Sequence, residues 1–546
     1  MPAPTLRWHD VDLPAAAAER VAGRAPTIPL PDLSPWPSPL DKARILLESA
    51  AEIEHALMVQ YLYSAYSLKA PEEVTDPAQQ AVLDDTAEDS WPQLLLDIAR
   101  EEMGHLMTVQ NLLLLLGLPP NLEREDFPPR KDLYPFPLRL ERLTQRSLAK
   151  YVVAEAPADA AGIEDIVALA QATTGSAINR VGVLYALLGV VVASRDGVAA
   201  GGSGSAAWDD VVRLVASAAH EQSPPESWHL PDAAFLTDSV AQQANPEDWQ
   251  VGDLRVHRMA DRAAAVQAVR DIGEQGEGPT GGDPSHFERF LAMFRGGGGR
   301  PPFPPDGEWV PTREVPTDPQ PGAGIANPST RGWTDLADLR YALLLGFLEH
   351  HLLASGEDRA LLAGWVFAEM RSRLGFLARR LTTMPLDDRG AAVAAAAAPF
   401  TLPTRLHLPG AETARWALHG ARTEAAVAVA EDLRAGATGL DADFLAGLVG
   451  GDRARLLLVA DRTASRQTET SFARDILPLF RPKDIDHMAE LGTNLADFDL
   501  VRTRAEAIAG RLSSTGPRRM PPRPDQRWTP LQLALFARWR EEGFPE

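Results

Sequence analysis

Apolar residues recur at intervals of three and four along most of the chain, and no stretch shows the strict alternation typical of strands. This spacing predicts a first helix capped by Asp41 and a second helix over residues 90–116, which has Pro92 in its first turn and ends at Gly117. Further helices are predicted over residues 174–194 and 258–273 and along the second half of the chain. The pattern therefore predicts an all-α protein.

Three polar residues interrupt the apolar faces of the first two helices. Glu54 lies on the apolar stripe of the first helix, and Glu102 and His105 lie on that of the second, together with Ile98 and Leu106. A buried charge is costly unless it is paired or bound to a metal. Inward-facing pairs of glutamate and histidine are also the ligands from which helix bundles build two-metal sites. We therefore predict that Glu54, Glu102 and His105 bind metal, with a hydrogen-bonded network of Glu, His and Tyr as the alternative.

The fourth predicted helix contributes a weaker candidate. Its buried stripe, extended by one turn, reaches Glu277 rather than Glu274, so Glu277 is the predicted ligand there, with a solvated helix end as the alternative. His286 follows a glycine-rich stretch and is a further candidate, although it could also cap a helix or lie in the core.

The amino-acid composition limits the kinds of metal site that the chain can form. The chain has no cysteine, which excludes disulfides, thiolate metal sites and covalently attached haem, so any metal must be held by histidine and carboxylate. Such ligands suit iron, manganese or zinc. The net charge of −22 argues against a nucleic-acid partner. The sequence shows neither a membrane span nor a signal peptide, so we expect a cytoplasmic protein without a membrane partner.

Proline-rich, glycine-rich and polar stretches divide the chain. The run Gly296–Gly299 followed by Pro301–Pro305 marks one boundary, and the polar stretch 461–470 marks another. The predicted segments are an N-terminal proline-rich arm (1–40), a metal-binding helical bundle (41–300), a helical domain (301–460) and a small helical domain (461–546). Glu349, His350 and His351 are adjacent in sequence and face different ways on a helix, so we predict a surface position for them.

A series of short motifs resembles the ferritin-like domain of the iminophenyl-pyruvate dimer synthase family, which includes enzymes on the routes to violacein and chromopyrrolate. The resemblance covers roughly residues 41–300, and its motifs occur in one order. They are Glu54-His55-Ala56-Leu57, Tyr61-Leu62, Ala65-Tyr66-Ser67-Leu68, Glu101-Glu102-Met103-x-His105, Tyr134-Pro135, Glu155-x-Pro157, Glu274-Gln275-Gly276-Glu277-Gly278 and Ser285-His286-Phe287.

The resemblance implies a ferritin-like four-helix bundle with a central site for one or two ions, iron or alternatively manganese. It places Glu54, Glu102 and His105 at that site, with Glu277 and His286 from the fourth segment. The third helix departs from the family pattern, because Val183 stands where the family has a glutamate. The implied count of two ions is therefore open.

The last 75 or so residues resemble a degenerate c-type cytochrome. His487 follows Lys483-Asp484-Ile485-Asp486, where a cytochrome has its two cysteines, and Met520 stands where the axial methionine would be. Without cysteine there is no covalent haem, so we interpret this segment as a structural module rather than one in which His487 and Met520 bind haem.

The resulting hypothesis is a metal-dependent oxidoreductase of specialised metabolism that acts on a small amino-acid-derived or aromatic molecule with O2 or peroxide. The sequence identifies no separate catalytic residue and no organic cofactor, and it leaves a homo-oligomer open. The main alternative is a non-catalytic scaffold or binding protein with a degenerate metal site, and a metal-dependent hydrolase is a third.

Overall fold

A computed structural model describes residues 6–12, 27–130, 133–157, 160–200, 206–249, 254–277, 284–297, 299–320, 324–403, 406–465, 470–514, 516, 520–522 and 526–546. Within these described ranges, the first half of the chain forms two short strands and ten α-helices. These elements are β1 (Trp8–Asp12), β2 (Thr27–Pro31), α1 (Pro39–Ser67), α2 (Pro77–Leu83), α3 (Trp91–Leu115), α4 (Gln145–Ala154), α5 (Glu164–Thr174), α6 (Val181–Val192), α7 (Arg195–Ala200), α8 (Ala206–Gln222), α9 (Arg262–Glu277) and α10 (His286–Arg295).

The second half is also helical in its described part, and two short π-helical segments, 368–374 and 472–476, interrupt it. Its helices are α11 (Pro328–Leu353), α12 (Gly356–Phe367), α13 (Gly375–Leu381), α14 (Glu412–Arg434), α15 (Gly439–Ser465), α16 (Pro482–Glu490), α17 (Phe498–Thr503), α18 (Ala505–Ser513) and α19 (Pro530–Glu541). The chain divides into two compact units, residues 1–334 with 351–363 and 375–402, and residues 335–350 with 364–374 and 403–546. The boundaries predicted at residues 300 and 460 do not coincide with these units.

Four helices of the first unit form a closed bundle. α1 packs against α3 and α6, and α9 packs against α3 and α6 on the other side. All twelve residues of α6 are buried, as expected for a helix that is apolar all round. Ser38 and Ser90 start α1 and α3 by accepting hydrogen bonds from backbone N–H groups of the first turn. The all-α prediction is therefore confirmed at the level of the fold.

Several local predictions were wrong. Residues 8–12 and 27–31 form an antiparallel two-stranded sheet within the predicted N-terminal arm, where no strand was predicted. The predicted helix over 174–194 starts at Val181, because Gly175 adopts a left-handed conformation that ends α5. Ser38 rather than Asp41 caps α1.

The second unit has its own core. Arg340 is fully buried between Glu369 and Asp452, with its Nε atom 2.7 Å from Glu369 Oε2. His350 is also buried and lies 2.9 Å from His419 through Nδ1, so the predicted surface position of His350 was wrong. His351, in the first unit, is likewise buried. The prediction failed because this helix is covered by other parts of the protein on several sides. Adjacent residues that point in different directions are then all buried.

The C-terminal segment is filled by its own aromatic side chains. Five aromatic residues are buried here and contact one another in tilted or T-shaped pairs with ring centroids 5.2–6.5 Å apart, namely Phe472, Phe480, Trp528, Phe536 and Trp539. By contrast, His487 and Met520 are exposed. The structure thus gives no support to a haem held by these two residues.

None of the helices in the described ranges combines the length and the apolar character needed to cross a bilayer.

Candidate metal centre

Glu54, Glu102 and His105 meet at the centre of the bundle, and all three are buried. The Nδ1 atom of His105 lies 3.0 Å from Oε2 of Glu102 and 3.5 Å from Oε2 of Glu54. Glu102 and His105 are three residues apart on α3, so they share a helix face, and the packing of α1 on α3 brings Glu54 to them. The structure therefore places these three predicted residues together, with ligand atoms close enough to share one ion.

A second group forms on the other side of Glu102. His286 places its Nδ1 atom 3.1 Å from Oε1 of Glu102 and 3.8 Å from Oε2 of Glu155. Glu155 is the residue at which α4 ends, and His286 is the first residue of α10. Both are buried, and together with Glu102 they also form a group able to hold a metal. Glu102 thus presents its two oxygens to two different histidines.

The other ring nitrogen of each histidine is held by an acceptor. His286 Nε2 lies 2.8 Å from Oε2 of Glu101, which Arg289 also contacts. His105 Nε2 lies 3.0 Å from Oε1 of Gln275 on α9. Because a carboxylate and a carbonyl oxygen can only accept, each Nε2 carries the hydrogen, and each Nδ1 faces the carboxylates. Such partners fix the tautomer and orientation of metal-binding histidines.

Two tyrosines hold the outer carboxylates. The hydroxyl of Tyr185 on α6 donates to Oε1 of Glu54, and that of Tyr61 on α1 donates to Oε1 of Glu155 at 2.6 Å. Each glutamate therefore keeps its Oε2 atom directed towards the centre. Among the described residues, the buried atoms Oε2 of Glu54, Oε1 of Glu102 and Nδ1 of His286 make no well-aligned hydrogen bond, although Nδ1 of His286 lies close to Oε1 of Glu102. Buried polar atoms without a well-aligned hydrogen bond are compensated by a bound ion or water, and this donor set of oxygen and imidazole nitrogen fits iron or manganese.

Comparison with known proteins agrees with this arrangement. The family model "Ferritin-like" matches residues 47–203, a stretch that contains Glu54, Glu102, His105 and Glu155. The chain contains a ferritin-like domain. His286 lies beyond the matched stretch.

Individual similar proteins are distant. The chain is 32% identical over 131 residues to the dichlorochromopyrrolate synthase of Lentzea aerocolonigenes, a match that covers 21% of this chain and 13% of that protein. The chain thus spans only a small part of the length of this relative. A solved ferritin-like protein from Caulobacter vibrioides aligns at 14% identity with a TM-score of 0.32 and covers 60% of this chain and 94% of that protein.

The electrostatics of the ferritin-like domain favour positive charge at the centre. Burial raises the pKa of Glu54 to about 8, and the nearby charge of Glu102 adds to the rise. Burial alone would lower the pKa of His105, but the carboxylates of Glu102 and Glu54 raise it to about 10. The pKa of His286 likewise lies well above its usual value, because the carboxylates around it outweigh its burial. Two cations bound at the Nδ1 atoms would balance the negative charge of these carboxylates as two protons do.

The cavity at the centre is small because the helices around it pack closely. A cavity with room for about one water-sized sphere lies between Glu54, Glu102, His105 and Glu155. Gly276 of α9 borders it, and a Cβ atom there would lie 3.3 Å from Oε2 of Glu155. From α6, Val181, Gly182 and Tyr185 line this cavity, and Val183 is buried elsewhere in the bundle. At this cavity the carboxylate of Glu155 lies in place of the one that α6 lacks because it has Val183.

Glu277 remains a predicted ligand. Glu277 is the last residue of α9, and its side chain lies outside the described residues. Gln275, two residues earlier, makes the contact from α9 to His105. Sequence reasoning missed Glu155 as a candidate ligand, although Leu148, Tyr151 and Glu155 are spaced as one helix face and all three are buried.

Proposed function

We propose that the ferritin-like domain binds two metal ions, iron or manganese, and acts as an oxidoreductase on a small amino-acid-derived or aromatic molecule with O2 or peroxide. The observation that carries the proposal is the position of Glu102 between the two groups. One oxygen faces Nδ1 of His105 at 3.0 Å, and the other faces Nδ1 of His286 at 3.1 Å. A carboxylate in this position is suited to bridging two ions.

The chain supplies the groups that hold and tune such a pair. Glu54 with His105 would bind one ion, Glu155 with His286 would bind the other, and Glu102 would be shared. When bound, iron or manganese would supply the redox chemistry that the side chains lack. Tyr185 and Tyr61 fix the carboxylates of Glu54 and Glu155, and Glu101 with Arg289 holds the ring of His286 in place.

Fewer observations support the proposed class of substrate. The name of the relative from Lentzea aerocolonigenes describes a synthase of dichlorochromopyrrolate, but the match covers only 13% of that protein. Fold alone does not fix function. The small aromatic or amino-acid-derived substrate therefore rests on this relative and on the motif resemblance.

A metal-free polar network is the competing interpretation, and it would make the protein a non-catalytic scaffold or binding protein. The raised pKa values of His105 and His286 favour it, because two protonated imidazoles would balance the same carboxylates. Metal content separates the two interpretations.

The test is metal analysis of protein loaded anaerobically with Fe(II) or Mn(II) and then desalted. We expect close to two ions per chain in the wild type and a loss of both in Glu102→Gln. The matched control is Glu72→Gln, an exposed glutamate in a turn after α1, which should keep the wild-type content. A wild type with less than about 0.1 ion per chain, unchanged in Glu102→Gln, would contradict the proposal and favour the metal-free scaffold.

A further inference from the structure

A second, larger cavity of about 600 Å³ lies in the same unit beside the metal centre. It is formed by α6, α7, α8, the start of α9 and the connecting segment that precedes α9. This volume is in the range of pockets that bind small organic molecules. Its apolar walls come from several elements, and they include Val198, Trp208, Val212, Phe235 and Val266.

Charged residues also line this cavity, and most of them are paired: Arg262 contacts Asp232, and Asp261 accepts the backbone N–H of Ala264. Arg270 of α9 lines the cavity and is only 4% exposed. Its Nη2 atom pairs with Asp209, but among the described residues its Nη1 atom has no hydrogen-bond partner. A buried guanidinium nitrogen without an acceptor is costly, and a ligand carboxylate is the group whose planar geometry matches the guanidinium.

The indole ring of Trp208 packs on the helix that lines the metal centre. Trp208 of α8 lines the large cavity, and Gly273 of α9 lines the small one. A Cβ atom added at Gly273 would lie 2.1 Å from Cη2 of Trp208, so the indole ring rests directly on the helix backbone at this point. The glycine allows the ring to come this close.

We propose that the large cavity is the substrate pocket of the metal centre, that it takes a small organic carboxylate with an apolar body, and that Trp208 is the partition between pocket and centre. Its assignment to the metal centre rests on the proposed function, whereas the binding of a carboxylate does not. Arg270 binds the carboxylate through Nη1, and the apolar walls hold the body of the ligand.

The experiment measures binding of 3-phenylpropionate and of its neutral amide, 3-phenylpropionamide, to the full chain by calorimetry, with and without loaded Mn(II). We expect the acid to bind at least about tenfold more tightly than the amide, the contribution of one charge-assisted hydrogen bond. Arg270→Gln should remove this preference, and Arg213→Gln, an arginine on α8 outside the cavity lining, should keep it.

A second variant tests the pocket without changing its charge. Val266→Trp fills the cavity and leaves Arg270 in place, so it should abolish binding of both probes, whereas Val310→Trp at an exposed position should not. Equal binding of acid and amide, or acid binding that survives Val266→Trp, would overturn the proposal. Because metal content is measured separately, a protein that binds metal but no probe refutes the pocket alone, and one that binds the probe but no metal refutes the metal centre alone.

Discussion

The Nδ1 atom of His286 lies 3.1 Å from Oε1 of Glu102, although 184 positions separate the two residues in the sequence. Because of this contact, Glu102 belongs both to the group of His105 and to the group of His286. It depends on Ser285, whose side chain accepts from the N–H of Glu288 and starts α10 so that His286 is its first residue. Four of the five residues with ligand atoms at the centre belong to the ferritin-like match, and His286 completes the set.

Substitution of the outer carboxylates should separate the two positions. Glu155→Gln removes a charged ligand from the group of His286, and Glu54→Gln removes one from the group of His105. We expect each variant to retain about one ion per chain, because the other group remains complete. Metal analysis after desalting checks this. Equal and complete loss in both variants would contradict two distinguishable positions and would indicate a single binding event.

Glu101 should affect metal affinity without being a ligand. Its carboxylate accepts a hydrogen bond from Nε2 of His286. Burial alone would raise the pKa of Glu101, but this hydrogen bond and the charges of His286 and Arg289 lower it to about 2. Loss of such a partner weakens metal binding by about 10- to 100-fold. We expect Glu101→Gln to show this loss in a competition titration with a chelator, with Glu72→Gln as the control. An affinity equal to the wild type would show that Glu101 does not orient His286.

The metal-free protein should become less stable as the pH rises from about 6.5 to about 8. Glu54 has a pKa of about 8 in the folded chain, above its ordinary 4.5, so its contribution is complete below pH 4.5 and is lost as the pH rises through 8. The raised pKa of His105, about 10 against 6.5, acts in the same direction above pH 6.5.

Thermal unfolding of the metal-free and metal-loaded protein across this range checks the prediction. The loaded protein should show a flatter profile, because bound ions replace the protons. Glu54→Gln should also flatten the profile of the metal-free protein. A melting temperature that rises with pH in the metal-free wild type would show that the sign of the prediction is wrong.

Gly273→Ala should destabilise the ferritin-like domain. Its Cβ would lie 2.1–2.8 Å from three atoms of the Trp208 ring, so the ring or the helix must move, at a cost of about 1–3 kcal/mol in the free energy of unfolding. The matched control is Gly189→Ala on α6, where the nearest atom would be at an ordinary 3.6 Å. Denaturant unfolding measures both. Equal stability of the two variants would show that the ring is not packed on Gly273.

The central part of the site could be predicted from sequence because it lies on long helices. Glu54, Glu102 and His105 interrupt regular apolar stripes, so periodicity alone predicts that they face the core. Glu155 and His286 lie at helix ends, at the C-terminus of α4 and the start of α10, where periodicity is weakest. The capping box at Ser285 and Glu288 was the available signal for His286.

Other features depend on contacts between distant parts of the chain. The pairing of β1 with β2 joins two five-residue segments, and the two alternating apolar residues of β2, Ile28 and Leu30, are too short a pattern to predict it. The burial of His350 depends on α14, which supplies His419 from 69 positions away. Periodicity predicts which face of a helix is apolar, but it does not predict how many sides of the helix are covered.

Glu102 would be shared by the two ions, and the electron paramagnetic resonance spectrum of Mn(II)-loaded protein tests this arrangement most directly. Two Mn(II) ions that share one carboxylate are magnetically coupled, so we predict a broad coupled spectrum together with about two ions per chain. Glu102→Gln should lose this signal. A spectrum that shows only isolated Mn(II) at full loading would contradict the bridging role of Glu102.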